Sequence, residues 1–147
     1  MVPKRNPVVS ALICDDVRRE INGKEILIGV YTRPYIVPQL PFKLIQLVVR
    51  MEMFFDGDKV DLMELRLQSP PGKIIYETSG PIPFTDWDDY GSVSVAIPGL
   101  EFDESGLYKI ELSFGKEWFL IREIEVRTQA AHIRRLQQLG ILPLAAP

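Results

Sequence analysis

GLYKIELSFGKEWFLIREIEV, residues Gly106–Val126, decides the fold of this chain. The stretch predicts two β-strands that fold back on each other about Phe114-Gly115-Lys116. Apolar residues alternate with polar ones along the first strand, so one face is apolar and the other polar. The apolar face carries Tyr108, Ile110, Leu112 and Phe114. A two-stranded hairpin is marginal in water, so we expect upstream strands to supply an opposing apolar layer.

The rest of the chain repeats this pattern in short segments separated by turn residues. Strands are predicted over residues 8–14, 25–33, 44–55, 61–68, 73–77 and 92–97, in addition to the hairpin. Spacings of roughly 8 to 12 residues without alternating helices favour an antiparallel β-sandwich, here of about 7–9 strands. The all-β domain should span residues 1–127.

Residues 128–147 differ from the rest and predict a short C-terminal α-helix with an apolar tail. Thr128 is a suitable N-cap, and Gly140 followed by Pro143 supplies a stop. The helix and tail should pack on the β-sandwich or extend from it, within a single domain.

Three local features make sharper predictions. Asn22-Gly23 predicts a hairpin with a type I′ turn, because both residues tolerate a positive φ. Gly29, inside the next strand, predicts a bulge or a close neighbour. The prolines at 34, 38 and 41 predict an extended crossover over Pro34–Phe42, not a strand.

Composition excludes several classes of function. Seventeen basic and twenty acidic residues give a net charge of -3, and the basic residues are scattered, so nucleic acid is not an expected partner. No segment has the roughly 20 apolar residues that span a bilayer. The single cysteine, Cys14, permits no internal disulfide and should be a small buried hydrophobe. We therefore expect a cytoplasmic protein.

The residues also argue against an enzyme. Nucleophilic catalysis needs a positioned base, and the one histidine, His132, falls in the predicted tail helix. One cysteine and one histidine do not make a usual zinc site, and the glycine-rich phosphate loops are missing. We expect no cofactor and no catalytic residue.

What remains is a set of acidic and aromatic residues suited to recognition. Trp87, Tyr90, Asp88 and Asp89 lie in the least regular segment and are candidates for an interaction surface. Ile141 and Leu142, in the apolar tail, are candidates for contact with a protein partner or a second copy. The leading hypothesis is a non-enzymatic interaction or accessory module.

An alternative hypothesis uses the same acidic loops to bind calcium or a carbohydrate. Calcium takes six to eight oxygen ligands, and Asp56, Asp58 and Asp86 are candidate ligands. Neighbouring aspartates also serve turns, where they bond their own backbone. The sequence leaves both interpretations open.

Two stretches carry a resemblance to a known family. ALICDDVRREINGKEILIGVYTRPYIVPQLP, Ala11–Pro41, combines a strand ending in Cys-Asp with Asn-Gly-Lys, Ile-Gly-Val-Tyr and a proline-bearing crossover. Together with Gly106–Ile110, it is similar to an uncharacterised family of small bacterial β-sandwich proteins, a domain of unknown function. The resemblance implies a bacterial cytoplasmic β-sandwich and assigns no catalytic residue.

Overall fold

The computed structural model describes residues 3, 5–32, 34–56, 60–82 and 90–144. These residues form twelve strands and one helix. In chain order they are β1 (Val8–Cys14), β2 (Asp16–Arg19), β3 (Glu25–Ile28), β4 (Tyr35–Val37), β5 (Phe42–Lys43), β6 (Gln46–Phe54), β7 (Leu62–Gln68), β8 (Ile74–Pro81), β9 (Tyr90–Pro98), β10 (Glu101–Phe102), β11 (Gly106–Ser113), β12 (Trp118–Thr128) and α1 (Gln129–Gln138).

Two main sheets enclose one apolar layer. The first has the strand order β1-β6-β9 and the second β4-β12-β11-β7-β8, while β2-β3 and β5-β10 form two small two-stranded sheets. Met51 of β6, Leu65 of β7 and Leu112 of β11 are all fully buried in the same cluster. The predicted all-β sandwich is confirmed. Its seven long strands fall in the predicted number, and five strands of two to four residues are additional.

The hairpin predicted over Gly106–Val126 is the centre of the larger sheet. β11 pairs with β12 on one side and with β7 on the other. Tyr108, Ile110 and Leu112 point into the core, as their alternation predicts. The Tyr108 hydroxyl donates a hydrogen bond of 2.7 Å to the backbone carbonyl of Glu104, which fixes the turn before β11.

The predicted hairpin at Asn22-Gly23 is present, but the predicted turn type is wrong. β2 pairs antiparallel with β3, and the backbone N–H of Gly23 bonds the carbonyl of Glu20. Gly23 has a φ of +85°, whereas Asn22 does not have a positive φ. A three-residue loop with a left-handed glycine replaces the type I′ turn, because only Gly23 takes the left-handed conformation.

The proline-bearing segment also differs from its prediction. Tyr35–Val37 is a strand, and it pairs in parallel with Val126–Thr128 at the end of β12. The prediction of a crossover without a strand is wrong over these three residues and at Phe42, which begins β5 and pairs with Phe102. Proline occupies the positions just outside the strand, Pro34 and Pro38, so it removes no donor from the ladder within Tyr35–Val37.

The C-terminal helix begins and ends where the sequence predicts. The Thr128 side chain accepts a hydrogen bond from the backbone N–H of Ala131, and Gly140 ends the helix with a φ of +73°. The N–H of Ile141 then bonds the carbonyl of Leu136. α1 has only ten residues, and the described part of the chain contains no helix with the length and apolar character that crossing a bilayer requires.

Candidate functional site

A groove at one end of the sandwich is a candidate site in the described residues. Its volume is about 750 Å³. Three segments meet there: the β1–β2 junction, the link that leads into β4, and the stretch from β5 to the start of β6. The lining residues are Asp15, Asp16, Tyr31, Tyr35, Phe42, Lys43, Leu44, Ile45 and Gln46.

One wall of the groove is acidic and aromatic. The Tyr31 hydroxyl donates a short hydrogen bond to the Asp15 carboxylate, and the hydroxyl oxygens of Tyr31 and Tyr35 lie 2.9 Å apart. The two rings are stacked with their centroids 4.4 Å apart. Burial, together with the contact to Asp15, raises the pKa of Tyr31, and burial also raises the pKa of Tyr35. Both phenols therefore stay protonated at neutral pH.

Backbone contacts hold Asp15 in place. Its N–H donates to the carbonyls of Ile28 and Gly29, and the N–H of Tyr31 donates to the carbonyl of Ile13 at 2.8 Å. The Gln46 side chain donates to the carbonyl of Asp15 at 3.1 Å. The Asp15 carboxylate lies directly against Gly29, where no Cβ would fit. The predicted close neighbour of Gly29 is therefore confirmed. Because β1, β3 and β6 all contribute, the carboxylate is preorganised.

The stretch from β5 to the start of β6 adds a mainly apolar part of the lining, with one cation. Ile45 is almost fully exposed at 95%, Phe42 is half-buried, and Lys43 is exposed. An exposed isoleucine beside a half-buried phenylalanine offers apolar contact area. The groove can therefore accept a ligand with a positive charge near Asp15 and an apolar group near Ile45, while Asp16 already pairs with Arg18 at 3.3 Å. The described lining contains no histidine, cysteine or serine.

The residues predicted from the sequence are placed elsewhere or lie outside the described residues. Tyr90 begins β9 and is 55% exposed, and its hydrogen bond to Glu52 raises its pKa. Asp56 is exposed and has a φ of +47°, as a turn residue. The remaining loop candidates lie outside the described residues; they are Asp58, Asp86, Trp87, Asp88 and Asp89.

No metal site emerges from the part of the chain that the structure describes. It contains no group of three or more His, Cys, Asp or Glu side chains that could hold an ion together. Asp56 thus has no second and third carboxylate beside it among these residues. The calcium alternative gains no support from the described geometry.

The tail residues are at the surface. Ile141 is 64% exposed, Leu142 is 37% exposed and Leu144 is 79% exposed. The tail nevertheless folds back toward the helix, since the Gln137 side chain donates to the carbonyl of Pro143 at 3.0 Å. The tail does not line the groove.

The sequence pattern does not reveal the groove, although one of its components is noticeable. Asp15-Asp16 directly after an apolar strand is an acidic pair at a strand end. Tyr31 and Tyr35 fall in or beside the segment predicted to be an irregular crossover. A tyrosine pair four residues apart, flanking a proline, is the signal that could have directed attention to this end of the sandwich.

Comparison with known proteins identifies the family of the chain. Among curated proteins, none matches the chain at a significant level. A model of a family of unknown function, DUF6941, matches residues 9–127. That range includes the whole groove and all twelve strands except the first residue of β1 and the last of β12. The chain therefore belongs to the DUF6941 family.

Proposed function

We propose that this protein is a non-enzymatic interaction module that binds a segment of a partner protein in the groove. The segment would present a lysine or arginine side chain to Asp15, with an apolar residue beside it. The observation that carries this proposal is the hydrogen-bonded Asp15–Tyr31–Tyr35 group in one groove with the exposed, apolar Ile45.

Charge and aromaticity together favour a cationic group. A carboxylate that is already held by the backbone loses little side-chain freedom when it pairs with an ammonium or guanidinium group. Tyrosine rings near the same point attract cations through their π faces. Lys43 in the same lining disfavours a second cation and suits a backbone carbonyl or an acidic neighbour in the ligand.

The chemistry of the lining supports binding in preference to catalysis. The raised pKa of Tyr31 leaves the phenol a poor base at neutral pH. The Tyr31 O–H already donates its hydrogen bond to the Asp15 carboxylate. The module would act in a reducing bacterial cytoplasm, where the lone buried thiol of Cys14 needs no disulfide partner.

Two labelled peptides of equal length test the proposal, one alternating leucine with lysine and the other leucine with glutamate. Fluorescence anisotropy should show binding of the lysine peptide alone. Asp15→Asn should weaken that binding about three- to tenfold, because one charge pair is lost. Asp103→Asn removes an equally exposed carboxylate outside the groove lining and is the matched control.

Three outcomes would contradict the proposal. Equal binding of both peptides would show that the acidic wall does not select the ligand. Equal weakening by Asp15→Asn and Asp103→Asn would show that only the net charge of the protein matters. If a glycan array yields a sugar that displaces the lysine peptide, the groove is a carbohydrate site instead.

The apolar tail remains a second predicted contact for a partner. The exposure of Ile141 and Leu144 favours it. Deletion of residues 141–147 tests it separately, since α1 keeps its N-cap at Thr128 in that variant. If the deletion changes neither partner binding nor oligomeric state, the tail has no such role.

A further inference from the structure

Among the residues that the structure describes, β9 is an edge strand of the three-stranded sheet. In the described residues it pairs only with β6, over all nine of its residues and without a bulge. Its sequence, YGSVSVAIP, contains no charged residue. Edge strands are usually protected by charges, bulges or short length, because an open ladder recruits other strands. β9 has none of these protections except Pro98 at its end.

The hydrogen-bond register shows which backbone groups face outward. The N–H of Gly99 donates to the carbonyl of Ile45 at 3.0 Å, just beyond the β6–β9 ladder and in the same register. On the other side of β6, the N–H of Phe54 donates to Pro7. In an antiparallel pair, the backbone N–H and C=O groups of successive residues point alternately toward the two neighbouring strands. Because Gly99 bonds β6, the odd-numbered residues of β9 also bond β6. The backbone groups of Ser92, Ser94 and Ala96 therefore face the open edge.

The sequence of this edge is close to palindromic about Ser94. Reading outward, Val93 matches Val95 and Ser92 matches Ala96. A two-fold axis at Ser94 would set Ser94 opposite its own copy, each Ser92 opposite an Ala96, and each Val93 opposite a Val95. Small side chains would meet at the hydrogen-bonded pairs, and valines at the closer non-bonded pairs.

We infer that β9 pairs antiparallel with β9 of a second copy, so that the three-stranded sheets of the two copies become one continuous sheet. The symmetry of the segment favours a second copy over an unrelated strand. An antiparallel strand can be complementary to its own copy only when the residues on either side of its centre match. Lack of charge removes the repulsion that would oppose such pairing. Val95 is only half-buried in the single copy, and the pairing would cover it.

The other edge of the same sheet is partly occupied within the chain. The carbonyl of Ile13 in β1 accepts the N–H of Tyr31, and the Arg122 side chain donates to the carbonyl of Ala11 at 3.4 Å. A two-fold contact through β9 alone closes on itself and does not extend into a filament.

Light scattering on the full chain tests the inference from about 1 μM to about 1 mM, the range in which weak dimers dissociate. We expect dimers at the upper end. Ser94→Pro removes only an outward donor, so it should keep the sheet and weaken the dimer at least tenfold. Ser94→Ala is the matched control and should dimerise normally. Circular dichroism checks that each variant is folded.

A charge exchange gives a test that does not depend on proline. Ser94→Lys and Ser94→Glu each set like charges face to face across the axis, so each variant should be monomeric. A mixture of the two should form a heterodimer, because the charges are then opposite. Val9 is exposed on β1, so Val9→Lys and Val9→Glu are the control pair. Each should keep the homodimer, and mixing the two should not favour a heterodimer.

Three results would overturn the inference. The first is a wild-type chain that stays monomeric over the whole range. The second is dimerisation of both the Ser94→Lys and Ser94→Glu variants, or failure of their mixture to associate. The third is a dimer that is lost on deletion of residues 141–147 but kept in Ser94→Lys, which would assign the contact to the tail.

Discussion

Gly29 lies against the Asp15 carboxylate with a φ of +67°, and any side chain there meets two obstacles. Gly29→Ala adds a Cβ that collides with the carboxylate and also strains the backbone. Gly23→Ala is the matched control, because Gly23 has a φ of +85° and no atom within 4 Å of an added Cβ. We expect about 1–2 kcal/mol of destabilisation for Gly23→Ala from the backbone alone. Gly29→Ala should cost at least about 1 kcal/mol more. Urea unfolding measures both, and equal losses would mean that the collision is relieved by movement of Asp15.

For single residues, the sequence predicts special backbone conformations better than it predicts contacts between distant side chains. The close neighbour of Gly29 is predictable because glycine weakens the interior of a strand and usually marks a bulge or a close approach there. The turn at Asn22-Gly23 is placed correctly but given the wrong type, because a dipeptide does not fix the loop length. The hydrogen bond from Tyr31 to Asp15 spans sixteen positions. It depends on the path of the chain between β3 and β4, which local patterns do not encode.

The β2–β3 hairpin is held on the outer face of the smaller sheet by an ion pair. The Arg50 Nε lies 2.7 Å from a Glu25 carboxylate oxygen, and both side chains are largely buried. The Ser92 hydroxyl also donates to Glu25 at 3.2 Å. The hydrogen bond from Arg50 lowers the pKa of Glu25 below its ordinary value of 4.5. A carboxyl whose pKa is lower in the folded state stabilises the protein above its unfolded pKa, and this contribution is lost as the pH falls.

Glu25→Gln should therefore cost about 1.5–3 kcal/mol at pH 7, the value of a hydrogen bond to a charged group. The variant should also lose less stability than the wild type between pH 5 and about pH 3, because its residue 25 does not titrate. Chemical unfolding at several pH values measures both effects. Glu20→Gln, at an exposed position in the same hairpin, is the control and should stay within about 0.5 kcal/mol. A parallel pH dependence for Glu25→Gln and the wild type would contradict the role of this pair.

Elements with a long, regular alternation are predictable, and short ones are not. β6 and β11 show period two over most of their length, and their inward residues are buried as predicted, although Val48 on the other face of β6 is buried too. β4 has only three residues, and its strand character comes from parallel pairing with β12, some ninety positions away in sequence. Prolines on both sides conceal it. Nonlocal pairing of this kind has no local signature.

For the whole molecule, composition and periodicity predict two apolar sheet faces that must close over each other. They do not predict which strands become neighbours, and the groove exists only because of that arrangement. Asp15, Tyr31 and Ile45 come from three separate segments, each unremarkable alone. The candidate site is therefore beyond prediction from the sequence, while the fold class is not.

The buried thiol of Cys14 allows local opening of the fold to be measured by the rate of thiol labelling. Cys14 has no exposed surface, it is the only cysteine in the sequence, and burial raises its pKa. A disulfide reagent such as Ellman's can react only while the end of β1 is detached. Native protein should thus be labelled at least about a thousandfold more slowly than protein in urea, since only a rare opened population reacts. Rapid labelling under native conditions would mean that β1 frays beside Asp15. The labelling rate would then report how often this end of the groove opens.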